Sequence, residues 1–155
     1  MTGMPRAKSP VPPAAAVSGA PLRAAHLRLG WPLLLVGVLA GTTLEGLLGF
    51  KWAPLLEDAL RRELLSLAHF HAGLLGLVNL VYAAFADTPA LGAPARRLAS
   101  RALRAGSLCL PLGFLLGGIW HSEGDPGPGI LLVPVGAVAI AVALALQARA
   151  AWRRE

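Results

Sequence analysis

The chain has 155 residues, 55% of them apolar and 14% charged, well below the roughly one quarter of charged residues in an average soluble domain. Lys and Arg exceed Asp and Glu by 14 to 8. No basic patch is interleaved with aromatics, however, which argues against nucleic acid as a partner and for the lipid bilayer. The single cysteine, Cys109, lies in an apolar run, which excludes an internal disulfide or a thiolate metal site and leaves it a packing role.

Residues 1–28 are rich in Pro, Ala and Ser. Pro5, Pro10, Pro12, Pro13 and Pro21 oppose a stable helix, so this stretch reads as a disordered cytoplasmic tail with His26 solvated. It lacks acidic residues, as transit peptides do, but its prolines spoil the amphipathic helix such a peptide needs. A secretory signal is disfavoured because the next apolar run is too long and has no clear small-residue cleavage site.

The rest, residues 29–150, reads as an all-α, integral membrane four-helix bundle with spans at about 30–50, 64–86, 103–120 and 129–148. Trp31 and Trp52 bracket the first span, as interfacial aromatics do. Gly37, Gly41 and Gly49 recur at multiples of four with Glu45 in the same row, a spacing that admits a second helix closely. In the following connection Glu57 and Asp58 precede Arg61 and Arg62 by four residues. That spacing predicts two ion pairs on a short interfacial helix continuous with the second span.

The second span carries His69, His71 and Asn79, with Gly73 and Gly76 on the face of Ser66 and His69. After a Pro- and Gly-containing loop over 87–95, Arg96, Arg97, Arg101 and Arg104 stripe a helix entering the membrane. The third span contains Pro111, where a kink is expected, and a GxxxG pair, Gly113 and Gly117, suited to close packing. The segment HSEGDPGPG, residues 121–129, is a turn before the fourth span.

Eleven Lys and Arg fall in the tail, the second loop and the C-terminus, against three in the first loop and none in the third. The positive-inside rule then puts both termini in the cytoplasm. On that topology Glu45, His69, His71, His121, Glu123 and Asp125 share one depth near the outer surface. Ionisable residues inside spans are costly and mark sites. Glu45 and His69, each about five residues below the outer surface on small-residue faces, are expected to form a coupled pair. His69 and His71 point about 200° apart on a regular helix, so they cannot grip one ion together. Asn79 reads as interhelical glue.

No GxSxG, Walker loop, HExxH or GxGxxG signature is present. The stretch LAHFHAGLLGLVNLVYA resembles the second helix of small bacterial four-helix membrane proteins that have no assigned activity. In these an H-x-H opens the second helix and a glycine-rich first helix ends in an acid, as Gly41 and Glu45 do here. The resemblance covers residues 30–148 and implies four helices with histidines on the outer side. The chain therefore reads as a small inner-membrane protein, an accessory or sensory component of a membrane complex and no enzyme by itself. Other membrane subunits or a second copy would be its partners, and no cofactor is required. Two rivals stand beside this: a haem- or metal-binding redox protein using His69, His71 or His121, and a proton-coupled carrier using Glu45.

Overall fold

The structure is a computed structural model that describes residues 19–86, 91–122 and 124–152. Among these residues it has five α-helices and no strand: α1 (Ala20–Gly49), α2 (Ala53–Leu56), α3 (Ala59–Ala84), α4 (Ala93–Ile119) and α5 (Leu132–Trp152), the last preceded by a 3-10 turn at Pro128–Leu131. Counting that turn with α5, four helices are long and apolar enough to cross a membrane. The chain is a multi-pass, helical membrane protein by length and composition.

Every span extends beyond the apolar run that marks it in the sequence. α1 begins at Ala20, so the tail expected over 1–28 is helical from there on, and its first 18 residues lie outside the described ones. Pro21, expected to oppose a helix, occupies the first turn, where its missing N–H has no partner to lose. Pro94 does the same for α4, which starts ten residues before the expected third span and carries the arginine stripe as helix. Hydropathy reports the part of a helix in hydrocarbon and is silent about the turns beyond it.

The α1–α3 connection also differs from expectation. α1 closes with Lys51 N–H donating to Leu48 O (3.0 Å) and Trp52 N–H to Leu47 O (3.0 Å), with Lys51 in left-handed backbone at φ 54°. This is the Schellman arrangement, with lysine where glycine is usual. α2 is a single turn and is not continuous with α3, because Asp58 takes extended backbone and caps α3, its Oδ1 accepting the Arg61 N–H at 2.9 Å. The two i,i+4 ion pairs do not form. Arg61 meets Asp58 at 3.5 Å, three residues away, and Arg62 donates to the carbonyls of Leu55 and Leu56 at the end of α2.

The bundle is open. α1 packs on α3, α3 on α4 and α4 on α5, whereas no close backbone approach joins α5 to α1 or α3. The outer helices consequently expose apolar side chains such as Leu35, Leu39, Val135 and Val138, as lipid contact requires.

Neighbours meet through glycine. A Cβ on Gly37 would stand 2.5 Å from the Gly73 nitrogen, and one on Gly76 would stand 2.6 Å from the Leu34 nitrogen, so α1 and α3 touch backbone to backbone. α4 and α5 do likewise where Gly106 faces Gly136 O (2.8 Å from a Cβ) and Gly113 faces the Val133 nitrogen (2.9 Å). Gly117 makes only ordinary contact with Ile130, and a Cβ on Gly73 would enter open space. The crossing therefore depends on Gly37 more than on its partner.

Gly37→Ala should destabilise the protein by about 1–3 kcal/mol, because the methyl must push two backbones apart. Gly46→Ala, in the same helix with nothing within 4 Å of the added carbon, should be neutral or stabilise by up to about 1 kcal/mol. Thermal unfolding of both variants in mild detergent checks this. Equal effects would show that the α1–α3 crossing is loose.

Candidate functional site

Among the described residues four polar side chains are buried with no exposed surface: His26, Asn79, Ser100 and Ser107. They form one network across α1, α3 and α4. Asn79 Nδ2 donates to Leu75 O and to Ser107 Oγ, both at 2.8 Å, so its Oδ1 is the acceptor facing the His26 ring. His26 Nδ1 lies 2.7 Å from that oxygen and must carry the proton. A neutral ring then leaves Nε2 to accept from Ser100 Oγ at 2.9 Å. Ser107 Oγ donates to Leu103 O at 2.7 Å. The Tyr82 ring covers the imidazole, centroids 4.2 Å apart, and its hydroxyl reaches toward Arg96 O at 3.5 Å.

Both amide hydrogens of Asn79 and both ring nitrogens of His26 are thus used within the bundle. Asn79 is the interhelical glue its sequence position suggests. His26 is a correction: it is fully buried, where a solvated tail residue was expected. A usable signal exists in the sequence, because His26, Gly30 and Gly37 are the buried residues of α1 and stand at i, i+4 and i+11 on one helical face. The glycine row continues back to His26 past the end of the apolar run.

The residues expected to converge at the other end are dispersed. Glu45 is exposed and makes no hydrogen bond or ion pair among the described residues, so the coupled pair with His69 does not form. The reason is spatial. The His69 ring fills the gap over Gly41, where a Cβ would sit 2.8 Å from its Cδ2, while its Nδ1 donates to Leu65 O at 3.3 Å. Glu45 lies one turn further along α1, past this contact.

His71 turns the other way, donating from Nδ1 to Leu67 O at 2.7 Å and lying against Phe114 of α4, ring centroids 5.1 Å apart. The two rings of the H-x-H therefore serve different interfaces, as their angular separation requires. His121 goes to neither. Its Nδ1 donates to Ser122 O at 3.0 Å and its Nε2 lies 2.7 Å from Asp58 Oδ2, without the alignment of a hydrogen bond. When the ring carries both protons this contact is an ion pair, and it ties the α4–α5 loop to the start of α3.

Asp58 has its carboxyl held below the usual carboxylate range. The Arg61 backbone N–H is the main cause, opposed by partial desolvation and assisted by the charges of His121 and Arg61. Among the described residues no three His, Cys, Asp or Glu side chains come close enough to hold a metal ion. His69, His71, His121 and Glu45 in particular are not brought together, and Glu123 lies outside the described residues.

No family model, curated protein or solved structure matches the chain.

His26→Ala should cost about 1–3 kcal/mol, since it leaves the Asn79 carbonyl oxygen buried without a donor. In a cycle with Asn79→Ala the two losses should be far from additive. Additive losses would mean that the two side chains do not support each other.

A lowered folded-state pKa means that the Asp58 carboxylate stabilises the fold above its ordinary value of 3.8, and that this contribution is lost as pH falls through the lowered value. Asp58→Ala should therefore melt below wild type at neutral pH, with the gap closing in acid well under 3.8. A gap independent of pH would show that the carboxylate charge plays no part.

Proposed function

We propose that this chain is a small multi-pass protein of the bacterial inner membrane, with both termini in the cytoplasm, acting as an accessory or sensory component of a membrane complex. The observation that carries this reading is the closed polar network. The chemistry-bearing groups deepest in the bundle, His26, Asn79, Ser100 and Ser107, bind one another and hold α1, α3 and α4 in register. Side chains used in this way build a stable platform, and these four are committed to one another and to the backbone.

The rivals draw less support from the geometry. An axial-ligand role for His69 needs open space at its ring, and that ring is packed over Gly41 of α1. A carrier needs its carboxylate inside the bundle, and Glu45 is on the surface.

Charge distribution supports the orientation. The described carboxylates, Glu45, Glu57, Asp58, Glu63 and Asp125, all belong to the end where α1 finishes and α3 starts. Arg23, Arg28, Arg96, Arg97, Arg101, Arg104 and Arg149 belong to the opposite end, the one the positive-inside rule assigns to the cytoplasm.

Two measurements test this. A reporter fused after Gly127 should be active only on the outer side and one after Glu155 only in the cytoplasm, and the reverse pattern would overturn the orientation. A photo-crosslinker placed at Leu35 or Leu39, on the exposed face of α1, should capture a defined protein neighbour in intact membranes. Adducts with lipid alone, from both α1 and the exposed face of α5, would overturn membership of a complex.

A further inference from the structure

The loop between α4 and α5 is held by two different means. Near its end, Gly127 N–H donates to Gly117 O at 2.9 Å, and a Cβ on Gly127 would run into the Trp120 carbonyl, so the backbone there is pinned to α4 itself. The tip before it is tied down by charge. Ser122 and Asp125 exchange both backbone hydrogen bonds at 3.2 Å, and Gly124 turns between them with φ 82°. The tip thus closes on itself and meets the start of α3 through His121, whose Nε2 lies 2.7 Å from Asp58 Oδ2.

This contact sets a condition on the ring. Ser122 O stands 3.0 Å from Nδ1, and the carboxylate oxygen stands against Nε2. A carbonyl and an ionised carboxylate are both acceptors and bring no hydrogen of their own. A neutral imidazole carries one N–H, so one ring nitrogen would face an oxygen with lone pair against lone pair. The imidazolium carries two and suits both oxygens. The side chain is 9% exposed, which leaves water little room to mediate at the second nitrogen.

The neighbouring charges come from three directions. From α3, Arg61 Nε lies 3.5 Å from the same Asp58 Oδ2. From the end of α2, Glu57 lines one open pocket together with Asp58, Arg61 and His121. The loop itself brings Asp125, which is exposed, and the last turn of α4, residues 116–120, brings no titratable side chain. Arg61 supplies one positive charge to this group, and His121 supplies the second when it is protonated.

We propose that His121 and Asp58 form a pH-responsive latch at this end of the bundle, holding the loop tip against α3 while the imidazole carries both protons and letting it go when one is lost. Closure is favoured in mild acid and fades as pH rises through the range in which histidines titrate. It fades again in strong acid, once Asp58 is protonated at a pH below its ordinary 3.8. The released tip leaves Glu57 and Asp58 with Arg61 as the cation of the pocket. Which compartment's acidity the latch reads rests on the orientation proposed above, whereas the latch itself does not.

The test uses the purified full-length chain in neutral detergent, with Cys109→Ala and a nitroxide attached at Ser122→Cys, an exposed tip position. Electron paramagnetic resonance reads the mobility of the tip, and the mobile fraction should rise severalfold between about pH 5.5 and about pH 8.5, a span that brackets ordinary histidine titration. Asp58→Asn removes the charge but keeps the cap on α3, because asparagine caps as well as aspartate. Its tip should be mobile at both ends of the range, as should that of His121→Gln. An unchanging spectrum in the otherwise native chain would overturn the proposal, as would a pH response that survives in either variant. Should one variant fail to fold, the other decides. The outcome is independent of the reporter fusions, so a failed latch and a failed orientation are told apart.

Discussion

Lipid gives an apolar side chain no reason to leave it and gives a backbone amide no hydrogen-bond partner, so helices in a bilayer associate only through close contact and buried polar bonds. Both devices are at work in this chain and they divide the labour by position. Backbone contact at Gly37 and Gly76 joins α1 to α3, and contact at Gly106, Gly113 and Gly136 joins α4 to α5. The centre, where α1, α3 and α4 meet, is held by the His26–Asn79–Ser100–Ser107 network instead. An asparagine there with one partner missing would be a liability of about 1–3 kcal/mol. With both amide hydrogens donated and its oxygen facing His26, it holds α1, α3 and α4 together in this register.

The two ends of the molecule are built on different principles. At the acidic end the chain turns sharply twice, through a lysine in left-handed backbone and an aspartate that caps the next helix. The same aspartate receives His121 from the far loop, so a single carboxylate terminates one element and anchors another. At the basic end the helices run on past the apolar segment, starting at prolines, and the arginines ride on helix rather than on loop. Long, flexible cations on a regular helix can reach the headgroup level while their stems cover apolar surface.

Openness follows from the order of packing. In a closed bundle each of four helices has two neighbours, whereas here α1 and α5 each have one main neighbour and show the rest of their surface to the surroundings. Lipid tolerates this arrangement because exposed leucine and valine cost nothing in hydrocarbon. The gap between α3 and α5 is a consequence of two helices resting on the same third one.

The number of helices, their apolar character and the tight contacts at Gly37, Gly76 and Gly113 were legible in the residues, because hydrophobic runs near 20 residues and small residues at fourfold spacing have one economical reading in a membrane, whereas the contact of Gly106 with Gly136 was not. The angular separation of His69 and His71 was legible too, since it depends only on helical geometry. The site was not. Glu45 and His69 share a depth and adjoining faces, yet the imidazole fills the space over Gly41 and the carboxylate remains one turn beyond it. His26 stood outside every apolar run and became the centre of the polar network, because α1 begins well before its hydrophobic segment and carries the residue against Asn79 and Ser100. Sequence periodicity assigns residues to faces and depths along one helix. Which side chains meet across two helices is decided by their crossing points and rotation, and these exist only once the backbones have packed.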